Sequence, residues 1–374
     1  MTSRSFGFIA RLLLMTLVAL GAIGGGGQRA VAQAADCATG GGDATSGGEA
    51  TPSEAATPDS GASPVAGGGG DGIDIAFIPK SVSNPYFVSS LAGAEEAAGE
   101  TGGTVRQVGP DDANAAGQVQ FIQTVTQEGP QAIAVSANDP NALAPSLQEA
   151  RSQGIKVVSF DSDVAPEARD VFINTADSEG IGRTQIQIIA RQIGCEGEIA
   201  VLSAASTATN QNAWIEFMKD ELTRPGYENV TLVEVVYGED SSQISYDKTI
   251  ELLTAYPDLK GIVSPTTVGI AAAAQALEAE GRTDVALTGL GLPNDMRAYV
   301  ESGTVKEFAL WNPVDLYYLT YYAAAALVNG EMTGAPGDTF SAGRLGSYTV
   351  GEGGVVLLGP PFIFDANNVA DFDF

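Results

Sequence analysis

The chain has 374 residues, of which 44% are hydrophobic and 17% charged, so it can bury a substantial core and is long enough for two lobes. Its formal net charge of -28 repels nucleic-acid backbones and anionic lipid headgroups, so we expect no nucleic-acid partner. The chain contains no histidine, which removes the commonest general base and metal ligand and argues against hydrolase or zinc chemistry. We expect no metal ion and no cofactor.

Residues 1–34 have the composition of an export signal. Two arginines flank the start of an apolar run that is short for a spanning helix, and residues 32–34 (Ala-Gln-Ala) supply the small side chains that a signal peptidase needs before Ala35. A retained membrane anchor is the alternative interpretation of the same run. Residues 35–72 are rich in Gly, Ser, Thr, Ala and Pro, which predicts a low-complexity linker.

The two cysteines, Cys37 and Cys195, have neither the spacing of paired metal ligands nor that of a redox pair. A disulfide between them would tie the low-complexity linker to the folded part, so we do not favour it. Cys37 stands where a lipid-modified cysteine would tether a domain by a flexible segment, although Asp36 before it is a poor match to a lipoprotein cleavage site. Lipid attachment at Cys37 therefore stays open.

From residue 73 onward, short apolar runs alternate with segments of helical periodicity. This pattern is typical of parallel strands joined by crossover helices, and it occurs twice in succession, which predicts two lobes of like architecture. The predicted strands are 73–79, 104–108, 132–136 and 156–160 in the first series, and 198–202, 232–237, 261–263 and 285–289 in the second. The predicted helices of the second series are 178–193, 211–222, 245–255 and 268–280, and a last helix rich in Tyr and Ala covers 314–327. A closing strand-like run covers 354–358.

The segment after the first predicted strand is a candidate ligand contact, because ligands of open parallel sheets bind beyond the carboxyl ends of the strands. It contains Lys80, Asn84, Tyr86 and Phe87. A polyol ring has apolar faces and a polar equator, so aromatic surfaces beside amide and ammonium groups suit it. The alternative is that Tyr86 and Phe87 form the first turn of a helix that faces the core.

Two more segment ends carry candidates. Asp161 follows the fourth strand, where a carboxylate can accept two sugar hydroxyls; a helix-cap or turn role is the alternative, for which Asp163 is the more natural residue. Trp311 and Asn312 follow an apolar segment, and a tryptophan beside an amide suits stacking under a sugar ring, although a buried hinge tryptophan is the alternative.

The second series offers amides and hydroxyls at the corresponding positions. Asn210 and Gln211 precede a predicted helix in a run with more amides than one helix cap requires, so we favour them as ligand contacts and Trp214 as a core residue. Pro265 and Thr267 lie in a rigid turn with hydroxyl groups after the strand that ends at residue 263.

Several long strings resemble a known family almost end to end from residue 73. The resemblance is to the periplasmic substrate-binding proteins of ABC sugar importers, and more narrowly to the rhamnose-binding proteins and the related autoinducer-2 (AI-2) receptors. It is carried by IPKSVSNPYF, AIAVSANDPNAL, VVSFDSD, TATNQNAW, GLGLPNDMRAYVESGTVKEFALWNPVDL and LLGPPFIFDANNVADFDF. It implies a type I periplasmic-binding fold, with two doubly wound parallel-sheet α/β lobes that are joined by three crossings and close on a ligand.

The resemblance also implies lobe boundaries. The N-terminal lobe comprises residues 73–176 with 313–342, and the C-terminal lobe comprises residues 177–312 with 343–374.

The AI-2 receptors contact their ligand through a lysine after the first strand, an aspartate, an Asp-Gln pair and a Pro-x-Ala turn. Carried over, these fall on Lys80, Asp161, Asn210 with Gln211, and Pro265 with Thr267. Asparagine replaces the aspartate at position 210 and threonine replaces the alanine at position 267, which changes the hydroxyl pattern that the cleft can satisfy and argues against AI-2. The string ALWNPVDL is closer to the rhamnose-binding proteins.

The broader ribose-type family has an Asn-x-aromatic-aromatic segment in its cleft, which Asn84, Tyr86 and Phe87 match. An arginine usually follows the cleft aspartate in that family, but Ser162 stands here, which argues against ribose and galactose.

We therefore expect an exported, periplasmic or cell-surface, monomeric protein that binds a small neutral deoxysugar such as rhamnose and delivers it to an ABC permease. An AI-2 receptor or another pentose- or hexose-binding protein is the alternative within the class. A sensor that presents sugar to a signalling partner is an alternative from another class. A sugar-modifying enzyme is the third, and the absence of histidine and of any nucleophile motif argues against it.

Overall fold

The computed structural model describes Cys37 and residues 72–374. The predicted export signal and all of the predicted linker except Cys37 and residue 72 lie outside these residues. Within the part that is described, no helix combines the length and apolarity needed to cross a bilayer. The same part contains no group of three or more side chains suited to holding a metal ion.

Strands and helices alternate through the first half of the fold. The strands are β1 (Asp74–Ile78), β2 (Thr104–Gln107), β3 (Ala132–Val135), β4 (Lys156–Phe160) and β5 (Val171–Asn174). The helices are α1 (Pro85–Thr101), α2 (Ala115–Glu128) and α3 (Pro140–Ser152).

The second half repeats the pattern. Its helices are α4 (Ser178–Gln192), α5 (Thr209–Glu221), α6 (Ser242–Ala255), α7 (Thr267–Glu280) and α8 (Pro293–Ser302). Its strands are β6 (Gly197–Ser203), β7 (Val230–Tyr237), β8 (Leu259–Ser264), β9 (Ala286–Gly289) and β10 (Glu307–Leu310).

The last part of the chain returns to both halves. It comprises α9 (Pro313–Asn329), the hairpin of β11 (Thr339–Ser341) and β12 (Ser347–Thr349), and then β13 (Val355–Leu357) and β14 (Phe362–Asp365).

Of the fourteen strands that the structure describes, ten form two separate parallel sheets. The first has the order β13-β5-β4-β3-β1-β2, and the second has the order β7-β6-β8-β9. The antiparallel pair β10-β14 lies beside the second sheet through a parallel bridge between Leu290 and Ala309. The chain therefore passes between the two halves after β5, after β10 and after β13.

The first sheet is buried on both faces, as expected for parallel strands joined by crossover helices. Successive side chains of a strand point to opposite faces, so Ile75 and Phe77 of β1 pack in one core with α1 and α9, while Ala76 and Ile78 pack in another with α2 and α3. Helix α9 supplies the fully buried Tyr317, whose ring stacks on Phe77 at a centroid distance of 4.7 Å. The prediction that this Tyr- and Ala-rich helix packs on a sheet is confirmed.

The structure confirms the eight strands and the second-series helices that the apolar periodicity predicted, with ends that differ by a few residues. One crossing differs from expectation. Residues 343–374 were expected to lie together in the C-terminal lobe, but β13 pairs with β5 in the first sheet and only β14 lies with the second half, where it pairs with β10. The third crossing thus follows Leu357, because the apolar run that forms β13 completes the edge of the first sheet.

Cys37 and Cys195 form a disulfide, with their Cα atoms 5.7 Å apart. This corrects one cysteine expectation, because the pairing that we did not favour is present. It also bears on the question left open, because a sulfur in a disulfide cannot also carry the thioether of a lipid. The cost of closing a loop rises slowly with its length, so a cysteine in a low-complexity segment can still pair with a distant one in an oxidising compartment.

We predict that the purified protein, denatured without reductant, reacts with no thiol reagent, because its two cysteines are paired. After reduction it should titrate two thiols per chain, and the Cys195→Ser variant should titrate one without reduction. Two reactive thiols in the unreduced wild-type protein would contradict the pairing.

Candidate functional site

A cavity lies where the carboxyl ends of strands from both sheets meet. Its empty space is about 370 Å³, a figure that counts the part open to solvent as well as the part within the protein. Ten of the eleven residues predicted as ligand contacts line it: Lys80, Asn84, Tyr86, Phe87, Asp161, Asn210, Gln211, Pro265, Thr267 and Trp311. The expectation that ligands bind beyond the carboxyl ends of strands therefore selected residues that lie together in the structure. Their contact with a ligand stays a prediction.

The polar part of the cavity contains a buried charge pair. Lys80, which follows β1, and Asp161, which follows β4, are both 5% exposed, and the Lys80 Nζ lies 3.8 Å from Asp161 Oδ2. Ser136, which follows β3, donates its hydroxyl to the same carboxylate oxygen at 2.7 Å. Burial raises the pKa of Asp161, while the Lys80 charge and the Ser136 hydrogen bond oppose that rise. Three adjacent strand ends therefore converge on one carboxylate.

The second half reaches this pair through the start of α5. The Asn210 side chain accepts a hydrogen bond from Lys80 Nζ at 3.3 Å, and its Nδ2 lies 3.5 Å from Asp161 Oδ1. Gln211 is held by its amide oxygen, which accepts from the Ser203 hydroxyl and the Ala204 backbone N–H, both at 2.7 Å. These two bonds fix the orientation of the Gln211 amide.

Aromatic side chains form the apolar wall. Trp311 donates its indole N–H to the Tyr86 hydroxyl at 2.7 Å, and the two rings meet edge to face. Tyr86 also meets Phe87 edge to face, and the ring of Trp214 lies 5.8 Å from that of Trp311. Burial and the Asp161 charge raise the pKa of Tyr86 well above its ordinary value, so it stays a neutral phenol.

Asp240 is a second carboxylate of the cavity that the sequence reasoning missed. It follows β7, accepts a hydrogen bond from the Thr266 hydroxyl, and lies near enough to Asp161 to raise the pKa of that residue. Its position after a predicted strand is the signal that could have found it.

Two carboxylates of the cavity have left-handed backbone conformations. Asp161 has φ 59° and Asp240 has φ 48°, as does the preceding Glu239 with φ 54°. Such conformations cost on the order of 1–3 kcal/mol in a non-glycine residue and persist where the surroundings impose them. Two of these three residues, Asp161 and Asp240, are therefore the carboxylates that line the cavity.

One sequence assignment needs correction, and another is incomplete. Asn312 does not line the cavity; its side chain caps α9 by accepting from the backbone N–H of Val314 and Asp315. Trp214 is in the core, as expected, but it also lines the cavity. An asparagine before a proline at a helix start suits capping as well as ligand contact, which is why the residue type misled the Asn312 prediction.

Comparison with known proteins places the chain in a family. Residues 75–332 match the model of the periplasmic binding protein domain, which is more than half of the chain.

Solved structures agree with this match over most of the chain. A sugar ABC transporter structure from Actinomyces odontolyticus is 46% identical, with a TM-score of 0.66, and covers 82% of this chain and 100% of its own. An ABC transporter solute-binding protein from Clostridium phytofermentas with bound L-rhamnose is 40% identical, with a TM-score of 0.77, and covers 80% of this chain and 98% of its own. LsrB from Clostridium saccharobutylicum in complex with AI-2 is 25% identical, with a TM-score of 0.76, and covers 81% of this chain and 100% of its own.

We predict that Lys80→Met lowers the free energy of unfolding at pH 7 by about 3–5 kcal/mol, because it leaves the Asp161 carboxylate buried without its countercharge. Without Lys80 the folded-state pKa of Asp161 rises further, so the loss is present above that pKa and shrinks as the pH falls towards the unfolded value. Denaturation midpoints at pH 7 and pH 4 measure this difference.

The double variant Lys80→Met/Asp161→Asn is the control and should recover much of the loss at pH 7, because neither charge of the pair remains. An equal loss at both pH values, or no recovery in the double variant, would contradict a charge origin.

Proposed function

The chain belongs to the periplasmic binding protein family, and on that premise we propose that it is the extracytoplasmic component of an ABC sugar importer. It binds a small neutral deoxysugar such as L-rhamnose between its two lobes and passes it to a membrane permease. The family binds its substrates rather than converting them, so the sugar leaves unchanged. The observation that carries the proposal is the cavity itself, which is lined by aromatic side chains and by polar side chains from both halves.

The chemistry of the cavity suits a neutral polyol. Asp161 and Asp240 supply carboxylate acceptors, while Lys80 and the Gln211 amide supply donors. Carboxylates accept hydroxyl protons in strong hydrogen bonds. Two carboxylates against one ammonium leave the lining net negative, which disfavours sugar acids and phosphorylated sugars. Tyr86 and Trp311 offer apolar surface to C–H groups and to the methyl group of a deoxysugar.

Hinge closure is the mechanism that we propose for binding. Three chain crossings connect the halves, after β5, β10 and β13. Near the cavity, direct hydrogen bonds join the halves, from Lys80 to Asn210 and from the Thr207 hydroxyl to the Asn138 carbonyl. A sugar that contacts both halves stabilises the closed arrangement by its differential contacts.

A rhamnose-type ligand is favoured over AI-2 by two observations. The L-rhamnose-bound protein is 40% identical to this chain, against 25% for the AI-2 complex. Asn210, which contacts Lys80, replaces the aspartate that the resemblance to AI-2 receptors implied at this position. An amide in place of a carboxylate changes the charge that faces the ligand.

We predict that L-rhamnose raises the melting temperature of the purified protein, because a ligand that binds only the native state stabilises it by about 2.7 kcal/mol at one hundred times its Kd. A thermal-shift panel of L-rhamnose, other deoxysugars, pentoses, hexoses and AI-2 measures this. D-galacturonate and glucose 6-phosphate are anionic controls that should give no shift. A panel in which no neutral sugar raises the melting temperature would overturn the proposal.

We predict that Asp161→Asn weakens L-rhamnose binding about 100-fold, because it removes a charged acceptor whose hydrogen bonds contribute about 1.5–3 kcal/mol each. Isothermal titration calorimetry measures Kd, and circular dichroism checks that the variant is folded. The control is Asp112→Asn, which changes an exposed carboxylate in the first half and should leave Kd unchanged. An unaltered Kd in Asp161→Asn would remove this residue from the site.

A further inference from the structure

We infer that the indole N–H of Trp214 donates a hydrogen bond to a hydroxyl of the bound sugar, which makes Trp214 a specificity-determining residue. The inference rests on the proposed function and extends it to a residue that sequence periodicity assigns to the core. It concerns one atom, the Trp214 Nε1.

The observation behind it is an unpartnered donor. Trp214 lies in α5 and is 2% exposed, and its Nε1 is buried without a hydrogen-bond partner. Among the described residues, six buried side-chain N or O atoms lack a partner: Thr175 Oγ1, Gln185 Oε1, Gln192 Nε2, Trp214 Nε1, Ser245 Oγ and Arg297 Nε. Trp214 is the one of these six residues that lines the cavity.

An unpartnered buried donor is costly. Leaving such a group unsatisfied costs about 1–3 kcal/mol, and a buried tryptophan N–H usually has a partner. Trp311 in the same cavity shows the usual case, because its N–H is bonded to the Tyr86 hydroxyl at 2.7 Å. The indole ring of Trp214 fills core volume, but its N–H adds this cost unless the N–H has an acceptor.

A sugar hydroxyl supplies the missing acceptor. The indole N–H can only donate, so its partner must offer a lone pair. A hydroxyl that gives its own proton to a carboxylate of the cavity, Asp161 or Asp240, keeps its lone pairs for a donor such as Trp214. Trp214 would then select sugars that present a hydroxyl at that position, because a site that hydrogen-bonds a hydroxyl rejects the analogue that lacks it.

The test compares two tryptophan variants that lose the same part of the indole ring. Trp214→Phe should weaken binding of L-rhamnose about 10-fold, the effect of one hydrogen bond of about 1.4 kcal/mol. Its melting temperature without sugar should fall less than that of Trp311→Phe, because both variants lose the same ring volume but only Trp311→Phe also breaks a hydrogen bond. Trp311→Phe should lower the melting temperature without sugar, because it leaves the buried Tyr86 hydroxyl without its donor.

Deoxy analogues of L-rhamnose identify the bond itself. The wild-type protein should bind a 2-, 3- or 4-deoxy analogue more weakly than L-rhamnose wherever the missing hydroxyl is contacted. For the analogue that lacks the hydroxyl bonded to Trp214, wild type and Trp214→Phe should bind equally. An unchanged Kd for L-rhamnose in Trp214→Phe, or equal losses for all three analogues in both proteins, would overturn the inference.

The two proposals fail in different ways. If wild type binds no neutral sugar in the thermal-shift panel, the sugar-binding function is wrong and the inference is wrong with it. If wild type binds another sugar of the panel instead, the same comparison is made with that sugar and its deoxy analogues. If wild type binds and Trp214→Phe binds as tightly, the inference alone is wrong.

Discussion

The cavity depends on one buried ammonium, that of Lys80. It lies 3.8 Å from the Asp161 carboxylate and donates to Asn210, so it contacts side chains of both halves of the molecule. A carboxylate as buried as Asp161 is stable in its charged form only with a nearby countercharge and hydrogen bonds. The Lys80 charge that opposes the rise in the Asp161 pKa therefore also connects the start of α5 to the ends of β1 and β4. Charge balance and the alignment of the two halves are one arrangement.

Much of the fold was predictable from the sequence because parallel strands buried on both faces appear as short apolar runs between helical segments. Two missed strands depart from that pattern: β5 has the apolar run but follows β4 after a short helical turn with no crossover helix between them, and β14 pairs antiparallel outside the main sheets. The third crossing was misplaced because the apolar run of β13 is compatible with the edge of either sheet. Pairing with β5 is a non-local contact that periodicity does not encode.

The site was predictable to the extent that it follows strand ends. Lys80 and Asp161 were found this way, and Asp240 obeys the same rule but was overlooked. Asn312 was assigned wrongly because helix capping and ligand contact use the same amide group. The double position of Trp214, in the core and on the cavity, could not be predicted, because helical spacing shows which face a residue occupies and not whether its N–H has an acceptor.

The disulfide makes the chain from Cys37 to Cys195 a covalent ring that includes the whole first series of strands, β1 to β5. A single peptide-bond cleavage between residues 38 and 71 opens this ring without releasing a fragment, since each new end stays attached through the sulfur bridge. The amino-terminal segment thereby remains joined to the second half of the molecule after a cut that would otherwise detach it. One cut in this segment therefore does not release the amino-terminal segment, whatever the folding stability of either half.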